Sequence, residues 1–194
     1  MSLRRWLGFY HQNIPAQYNR WCCHCNFVFP FVSVDCFPEI QQRLEKAIQL
    51  QQFEQFEIVL DEIGWFSQGK GQVTVHLKPS NKSQFNKLFQ LIRQTVPEAE
   101  YKHSQMEPHL TLAQCSSGDL EQITQLIRKT IPLPIVCSMD NCRLSLLNRS
   151  KQDNDAPFEI HSTVNLCPPK SKPTATAASS SAPTAAVDNL TDFM

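Results

Sequence analysis

Two histidines in similar local contexts are the residues of this chain best suited to do chemistry. His24 is followed two positions later by Asn26, and His109 is followed two positions later by Thr111. On an extended strand, residues i and i+2 point to the same face, so each histidine shares a face with a hydrogen-bonding side chain. The two pairs lie 85 residues apart. This arrangement predicts one site assembled from two distant parts of the chain.

Paired imidazoles of this kind suit the cleavage of a phosphodiester. Because the pKa of histidine is about 6.5, one ring can take a proton from an attacking water while the other gives a proton to the leaving ribose oxygen. An amide at Asn26 and a hydroxyl at Thr111 can each donate to a nonbridging phosphate oxygen. We therefore predict His24 and His109 as the catalytic residues and Asn26 and Thr111 as substrate-binding residues, with no metal and no other cofactor.

Apolar periodicity predicts the elements that position these residues. Each histidine opens a set of strand, helix, strand and strand, and this order occurs twice. The predicted strands cover residues 25–34, 56–66, 72–77, 108–114, 135–148 and 158–166, and the predicted helices cover residues 37–52, 81–95 and 118–130. Asp35 is the predicted cap of the first helix. The repeat predicts an α+β fold with pseudo-symmetry, in which the two opening strands lie side by side and their histidines face one cleft.

Composition and charge restrict the class of protein. The chain is 41% hydrophobic and 19% charged, which is ordinary globular usage. Its basic and acidic residues cancel to a net charge of zero, and without a basic block we expect no avid binding to long nucleic acid. The 8 cysteines are irregularly spaced, which favours reduced thiols. We expect an intracellular protein, cytoplasmic or nuclear, that does not bind membranes.

The chain divides into three parts by composition. Residues 1–19 form an N-terminal segment, residues 20–167 a globular domain, and residues 168–194 a tail rich in proline, serine, threonine and alanine. Such a tail cannot bury enough apolar surface to offset its ordering entropy, so we predict that it is disordered. Its end carries Leu190, Phe193 and Met194, which offer a docking segment for a protein partner.

A zinc site is one alternative interpretation of the run Cys22-Cys23-His24-Cys25. Adjacent ligands on an extended chain point in opposite directions, and no second pair of cysteines or histidines at ligand spacing lies nearby. The spacing therefore favours the phosphodiester interpretation.

Other aromatic and polar residues have two interpretations each. Trp65 and Phe66 can stack on a base or pack in the core. His76 is predicted at a solvated position or on the wall of the cleft. Arg143 and Arg149 are predicted at the surface, with a phosphate clamp as the alternative. The remaining histidines are predicted at the surface: His11, His103 and His161.

Two sequence segments resemble the signatures of a known family. The run RWCCHCNFVFPFV at residues 20–32 resembles the first signature of a eukaryotic branch of the 2H phosphoesterase superfamily, and PHLTL at residues 108–112 resembles its second, His-x-Thr signature. The resemblance extends over residues 12–166. It implies a bilobal, pseudo-symmetric fold like that of bacterial 2′-5′ RNA ligases, with antiparallel sheets around a central cleft and helices outside.

The resemblance also implies an activity. Members open 2′,3′-cyclic phosphates or cut or join RNA phosphodiesters without a metal, and the motif residues carried over are His24, Asn26, His109 and Thr111. The implied substrate is an RNA terminus or a small cyclic nucleotide. Asn26 replaces a threonine of the better-studied branches, and residues 1–19 are shorter than the strand and helix that precede the first signature in relatives.

Two further hypotheses remain open, the first because of these departures and the second because of the C-terminal tail. One is a catalytically weak or inactive module of the same fold that binds RNA or a nucleotide. The other is an interaction scaffold that acts through the tail at residues 168–194.

Overall fold

The computed structural model describes residues 24–137, 143–148 and 157–170 and shows a mixed architecture of helices and antiparallel sheets. The α-helices are α1 (Phe37–Gln51), α2 (Ser83–Thr95) and α3 (Leu120–Thr130). The strands are β1 (Ile58–Leu60), β2 (Glu62–Gly69), β3 (Gln72–Lys78), β4 (Leu110–Ser116), β5 (Ile135–Cys137), β6 (Leu144–Asn148) and β7 (Glu159–Val164). Over these ranges, no helix has the length and apolar character that crossing a membrane requires.

Some predictions fall outside the described residues. These are the N-terminal segment at residues 1–19, the tail from residue 171 onward, and several single residues: His11, Cys22, Cys23 and Arg149. The three predicted helices are confirmed, each with its observed ends within two residues of the predicted ones. The first helix has Pro38 in its first turn, where the missing N–H leaves no hydrogen bond unmade.

The strands form three separate sheets. The largest has the order β2-β3-β4 and is antiparallel throughout, while β1 pairs with β5 and β6 pairs with β7. The predicted hairpin of β2 and β3 is confirmed. Its turn is made by Gly69, Lys70 and Gly71, which have φ angles of 78°, 49° and 71°. Two glycines suit this turn because they adopt positive φ without a steric penalty.

The predicted strand at residues 56–66 is wrong as a single element. It is divided at Asp61 into β1, which pairs with β5, and β2, which pairs with β3. The Asp61 carboxylate accepts hydrogen bonds from the Ser80 N–H at 2.7 Å and from the Ser80 hydroxyl at 2.5 Å. These hydrogen bonds attach Asp61 to the loop after β3. At this residue the chain leaves the sheet that contains β1 and enters the sheet that contains β2.

The predicted opening strand at residues 25–34 is also wrong. The chain from His24 to Ser33 contains bends and no strand, and a short 3-10 helix at Val34–Cys36 leads into α1. Pro30 lies in the middle of this segment and has no N–H to donate to a sheet. The apolar side chains nevertheless pack against the core from an irregular backbone. The predicted pairing of two opening strands therefore fails, and β4 pairs with β3 instead.

The predicted cap at Asp35 is wrong as well. Asp35 lies inside the 3-10 helix, and Cys36 occupies the N-cap position of α1 without a side-chain cap hydrogen bond. The Asp35 carboxylate accepts instead from the Ser33 hydroxyl at 3.3 Å. The 3-10 helix thus leaves Asp35 one residue before the N-cap position of α1.

Three hydrophobic clusters hold these elements together. The first joins α1 and α2 to β6 and β7, and the second packs α3 against β3 and β4. The third is smaller, and its buried members are Phe85, Phe89 and Met106. Cys25 and Phe27 of the irregular segment pack against this third cluster. The side chains of the irregular segment are at most partly buried, and their packing on these clusters holds the segment without strand pairing.

Candidate functional site

One face of the three-stranded sheet carries the polar residues of the candidate site. Along β3, Val75 and Leu77 pack into the core that includes α3 and Val73 is also buried, so Thr74 and His76 project from the opposite face. The cross-strand neighbours of His76 are Gly64 on β2 and Thr111 on β4. We call this surface the polar face, and it comprises Gly64, Phe66, Gln68, Thr74, His76, Thr111 and Gln114.

A β-bulge in β4 sets the position of Thr111 on the polar face. Val75 pairs with Ala113 while the next residue, His76, pairs with Thr111, so Leu112 is an extra residue in β4. Thr111 and Gln114 are three positions apart and would point to opposite faces of a regular strand. The bulge brings both to the same face, which places the Thr111 side chain next to His76.

His109 lies immediately before β4, and its ring orientation is set by a local hydrogen bond. Its Nδ1 is 2.8 Å from the carbonyl oxygen of Glu107. A carbonyl can only accept, so Nδ1 carries the proton of the neutral ring and Nε2 presents its lone pair. The imidazole is half-buried. Nε2 is therefore the atom through which His109 can exchange a proton with a ligand.

Three rings form a cluster beside this histidine. Phe66 stacks on His76 with ring centroids 4.2 Å apart, and the His109 centroid lies 4.9 Å from Phe66 and 5.2 Å from His76. His76 is only 2% exposed, so the prediction of a solvated position is wrong. Its burial and, to a smaller extent, the nearby His109 lower the pKa of His76 to about 4. His76 is therefore uncharged at neutral pH.

Gly64 makes room for the buried imidazole. A Cβ atom at this position would lie 2.6 Å from Nε2 of His76, far inside van der Waals contact. Sequence reasoning did not identify Gly64 or the role of His76, although a glycine within a strand pattern is a signal of close approach by another group. A larger residue at position 64 would force the His76 ring to move.

Two aromatic residues of β2 are exposed, which overturns their interpretation as core residues and leaves stacking on a base as a prediction. Trp65 is 57% exposed and Phe66 is 37% exposed, so the interpretation of these residues as core is wrong. Stacking of a base on either ring stays a prediction. Phe66 lies on the polar face against His76 and His109, whereas Trp65 lies on the opposite side of the strand.

His24 is surrounded differently from His109. It is half-buried in the irregular segment, and its ring makes an edge contact with Phe158 at a centroid distance of 5.5 Å. Phe29 contacts the same phenylalanine from another direction, at 6.3 Å. Phe158 was not identified as a site residue, because nothing in the sequence relates residue 158 to residue 24.

Cys25 connects the two motif segments. Burial raises the pKa of its thiol to about 12, and a hydrogen bond from the backbone of His109 acts in the opposite direction. The residue next to His24 therefore contacts the main chain of His109. Asn26, two positions after His24, has an exposed side chain.

One of the two arginines considered as a phosphate clamp lies among the described residues. Arg143 is exposed, as predicted. Within residues 24–137, 143–148 and 157–170, no group of three or more histidine, cysteine, aspartate or glutamate side chains is arranged to hold a metal ion. The described part of the site contains imidazoles, the hydroxyls of Thr74 and Thr111, side-chain amides and aromatic rings.

Comparison with models of protein families places the site residues in a known family. A family model of the 2′-5′ RNA ligase superfamily matches residues 2–153, a range that includes His24, Asn26, His109 and Thr111. A search of curated proteins finds no match to the chain.

Proposed function

The chain belongs to the 2′-5′ RNA ligase superfamily of 2H phosphoesterases, and from this premise we propose that it is a metal-independent phosphodiesterase. Membership suggests phosphodiesterase or RNA-processing activity in general. We propose 2′,3′-cyclic phosphates and RNA-end phosphodiesters as substrates, His24 and His109 as catalytic residues, and Asn26 and Thr111 as substrate-binding residues. We also propose the bilobal, pseudo-symmetric arrangement of the family around the cleft.

The observation that carries this proposal is the contact between Cys25 and the main chain of His109. Residues from the two motif segments touch, although they are far apart in sequence. Two proton-transfer groups can serve one phosphate only if they lie on either side of it. The contact supports a shared site for His24 and His109.

The proposed reaction opens a cyclic phosphate with water. A neutral histidine accepts a proton from the water as its oxygen forms a bond to phosphorus. The bond from phosphorus to one ribose oxygen breaks, and the second histidine, charged, donates its proton to that oxygen. The product is a ribose phosphomonoester with a free neighbouring hydroxyl. Afterwards the two histidines exchange protons with solvent to restore the starting state.

The geometry around His109 supports its part in this reaction. The Glu107 carbonyl holds the Nδ1 proton, so Nε2 is available either to accept the proton of water or to donate its own. Thr111 lies one residue into β4, on the polar face, where its hydroxyl can donate to a nonbridging oxygen. Which histidine acts as acid depends on which ribose oxygen leaves.

The test is hydrolysis of a 2′,3′-cyclic nucleotide and of a short RNA with a 2′,3′-cyclic phosphate end, both in EDTA. Wild type is compared with His24→Ala and His109→Ala, and His103→Ala serves as a matched control because His103 is exposed. We expect turnover in wild type and in the control, and loss in both motif variants. Turnover that EDTA abolishes, or that survives in either motif variant, would refute the mechanism.

A second function is favoured by the structure of the first motif. Asn26 is exposed and its segment is irregular, whereas Thr111 lies on a paired strand. A module that binds an RNA end or a nucleotide without turnover needs less exact placement of this residue. Saturable binding of a 2′,3′-cyclic nucleotide by wild type, measured by calorimetry, without any product over many hours, would support this function over catalysis.

A further inference from the structure

His76 is a third histidine at the site, and the reaction proposed above does not use it. It is 2% exposed, and the backbone of Thr74, which interacts with the ring, offsets only part of the effect of this burial on its pKa. Burial of an imidazole costs free energy even where one polar contact is made, so an aliphatic side chain at this position would suit stability better. The presence of an imidazole at this buried position therefore calls for another explanation.

The surroundings of His76 hold its ring tightly. Phe66 covers one face with ring planes only 25° apart, Gly64 leaves space for Nε2, and Thr111 is the cross-strand neighbour on β4. The His109 ring is in contact with both Phe66 and His76. A displacement of the His76 ring would therefore be transmitted directly to the ring of His109.

We propose that His76 is a positioning residue, which packs with Phe66 against His109 and holds the His109 imidazole in the orientation needed for proton transfer. The proposal rests on the proposed function. A flat ring is required, because it must fit between the backbone of Gly64 and the two neighbouring rings. The ring must also be uncharged, since a cation at this distance would oppose protonation of His109.

The charges around His76 are compatible with this role. Its titratable neighbours are His109, which precedes β4, and Lys78, which is two residues along its own strand. Lys78 forms an ion pair with Glu62 on β2 at 3.1 Å. The groups that face His76 from the adjacent strands are Gly64, Phe66 and Thr111, which carry no charge.

The first experiment separates the ring of His76 from its nitrogen atoms. His76→Phe keeps a flat ring, His76→Ala removes it, and Gly64→Ala pushes it out of place. We expect kcat on the 2′,3′-cyclic nucleotide to fall about 10- to 100-fold in the last two variants with little change in KM, because misplacement of a catalytic group lowers the rate of the chemical step. His76→Phe should remain within about threefold of wild type, and the exposed control His103→Ala should be unchanged.

Two outcomes of this experiment would overturn the proposal. Equal losses in His76→Phe and His76→Ala would mean that a nitrogen atom, and not the ring, is required. Unchanged kcat in both His76→Ala and Gly64→Ala would mean that the position of the His76 ring does not affect the reaction. Because Gly64→Ala can also fail to fold, circular dichroism accompanies each variant, and the comparison of the two His76 variants decides the case alone.

A second readout does not depend on activity. In protein labelled with ¹³C at histidine Cε1, the His109 signal should move in His76→Ala, because the ring contact is lost, and should stay close to the wild-type position in His76→Phe. An unmoved His109 signal in His76→Ala would overturn the positioning role. If wild type shows no turnover but the signal moves as expected, the proposed function fails while the ring contact is upheld.

Discussion

The two histidine motifs have the same sequence pattern, yet they are held in different ways. His109 lies immediately before β4 and Thr111 lies near its start, and the register of β3 and β4 fixes Thr111 next to His76. His24 and Asn26 lie on an irregular segment without strand pairing. The first motif is held by apolar packing of Cys25 and by the ring of Phe158. In the second motif, Thr111 is held by the pairing of β4 with β3, and His109 by the Glu107 carbonyl and the rings of Phe66 and His76.

This difference affects how precisely each motif can present a ligand group. On a paired strand, the hydrogen-bond register fixes both the position and the direction of each side chain. Packing of a neighbouring residue fixes only the path of the backbone. We infer that the His109 half of the site is preorganised and that the His24 half depends on a few side-chain contacts.

The largest difference should appear between the residues two positions after each histidine. Thr111→Ala should lower kcat about 100-fold, because it removes a preorganised donor, whereas Asn26→Ala should lower it less than about tenfold because the amide is exposed. The measurement is steady-state hydrolysis of a 2′,3′-cyclic nucleotide. Thr111→Ser keeps the hydroxyl and is the control. Equal losses in the two alanine variants would show that both halves bind phosphate equally well.

The buried His76 should make the sheet half sensitive to acid. Its pKa is about 4 in the folded protein and 6.5 when unperturbed, so the unfolded chain binds more protons between these values. The titration of His76 therefore does not reduce the stability of the folded protein above pH 6.5. That stability is lost progressively as the pH falls from 6.5 toward 4. At pH 4.5 the loss should be on the order of 2–3 kcal/mol.

Urea unfolding of wild type and His76→Phe at pH 7 and pH 4.5 measures this effect. His76→Phe lacks the titrating group, so its free energy of unfolding should fall less between the two pH values than that of wild type. The difference between the fall in wild type and the fall in His76→Phe gives the contribution of His76, because the remaining groups titrate in both proteins. An identical fall in both proteins would mean that His76 protonates normally in the folded state.

A smaller effect is expected from Phe158, which contacts the ring of His24. Phe158→Ala should lower kcat about 2- to 10-fold, since an edge contact between rings contributes about 0.5–1.5 kcal/mol to the placement of the imidazole. Phe158→Tyr keeps the ring and should retain nearly full activity. Hydrolysis rates of the three proteins at saturating substrate give the comparison. Full activity in Phe158→Ala would show that His24 is held by other contacts.

The difference between regular elements and the irregular segment also explains which parts of the fold could be predicted from the sequence. The helices, the hairpin and β4 have a clear apolar periodicity, since each buries one face against a core. The segment at residues 25–34 is apolar at almost every position, and such a run does not distinguish a buried strand from an irregular chain that packs side chains on several clusters. Pro30 was the local signal against a strand.

The surroundings of the site could be predicted less well than the motif residues. His109 and Thr111 follow from the spacing of the motif, but the bulge at Leu112 arises from the pairing of β4 with β3. The room that Gly64 leaves for His76 likewise depends on strand register, because a one-residue shift would place His76 opposite a different side chain. Such contacts between distant residues are not encoded in local periodicity.

We propose that His24 and His109 act as one unit despite their different surroundings. The most direct test measures hydrolysis of a 2′,3′-cyclic nucleotide in EDTA by wild type, His24→Ala, His109→Ala and the double variant. We predict that each single variant loses about 10³-fold in kcat and that the double variant is no slower than the worse single variant, because removing either group disables the same step. Multiplied losses in the double variant, or full activity in either single variant, would contradict the account.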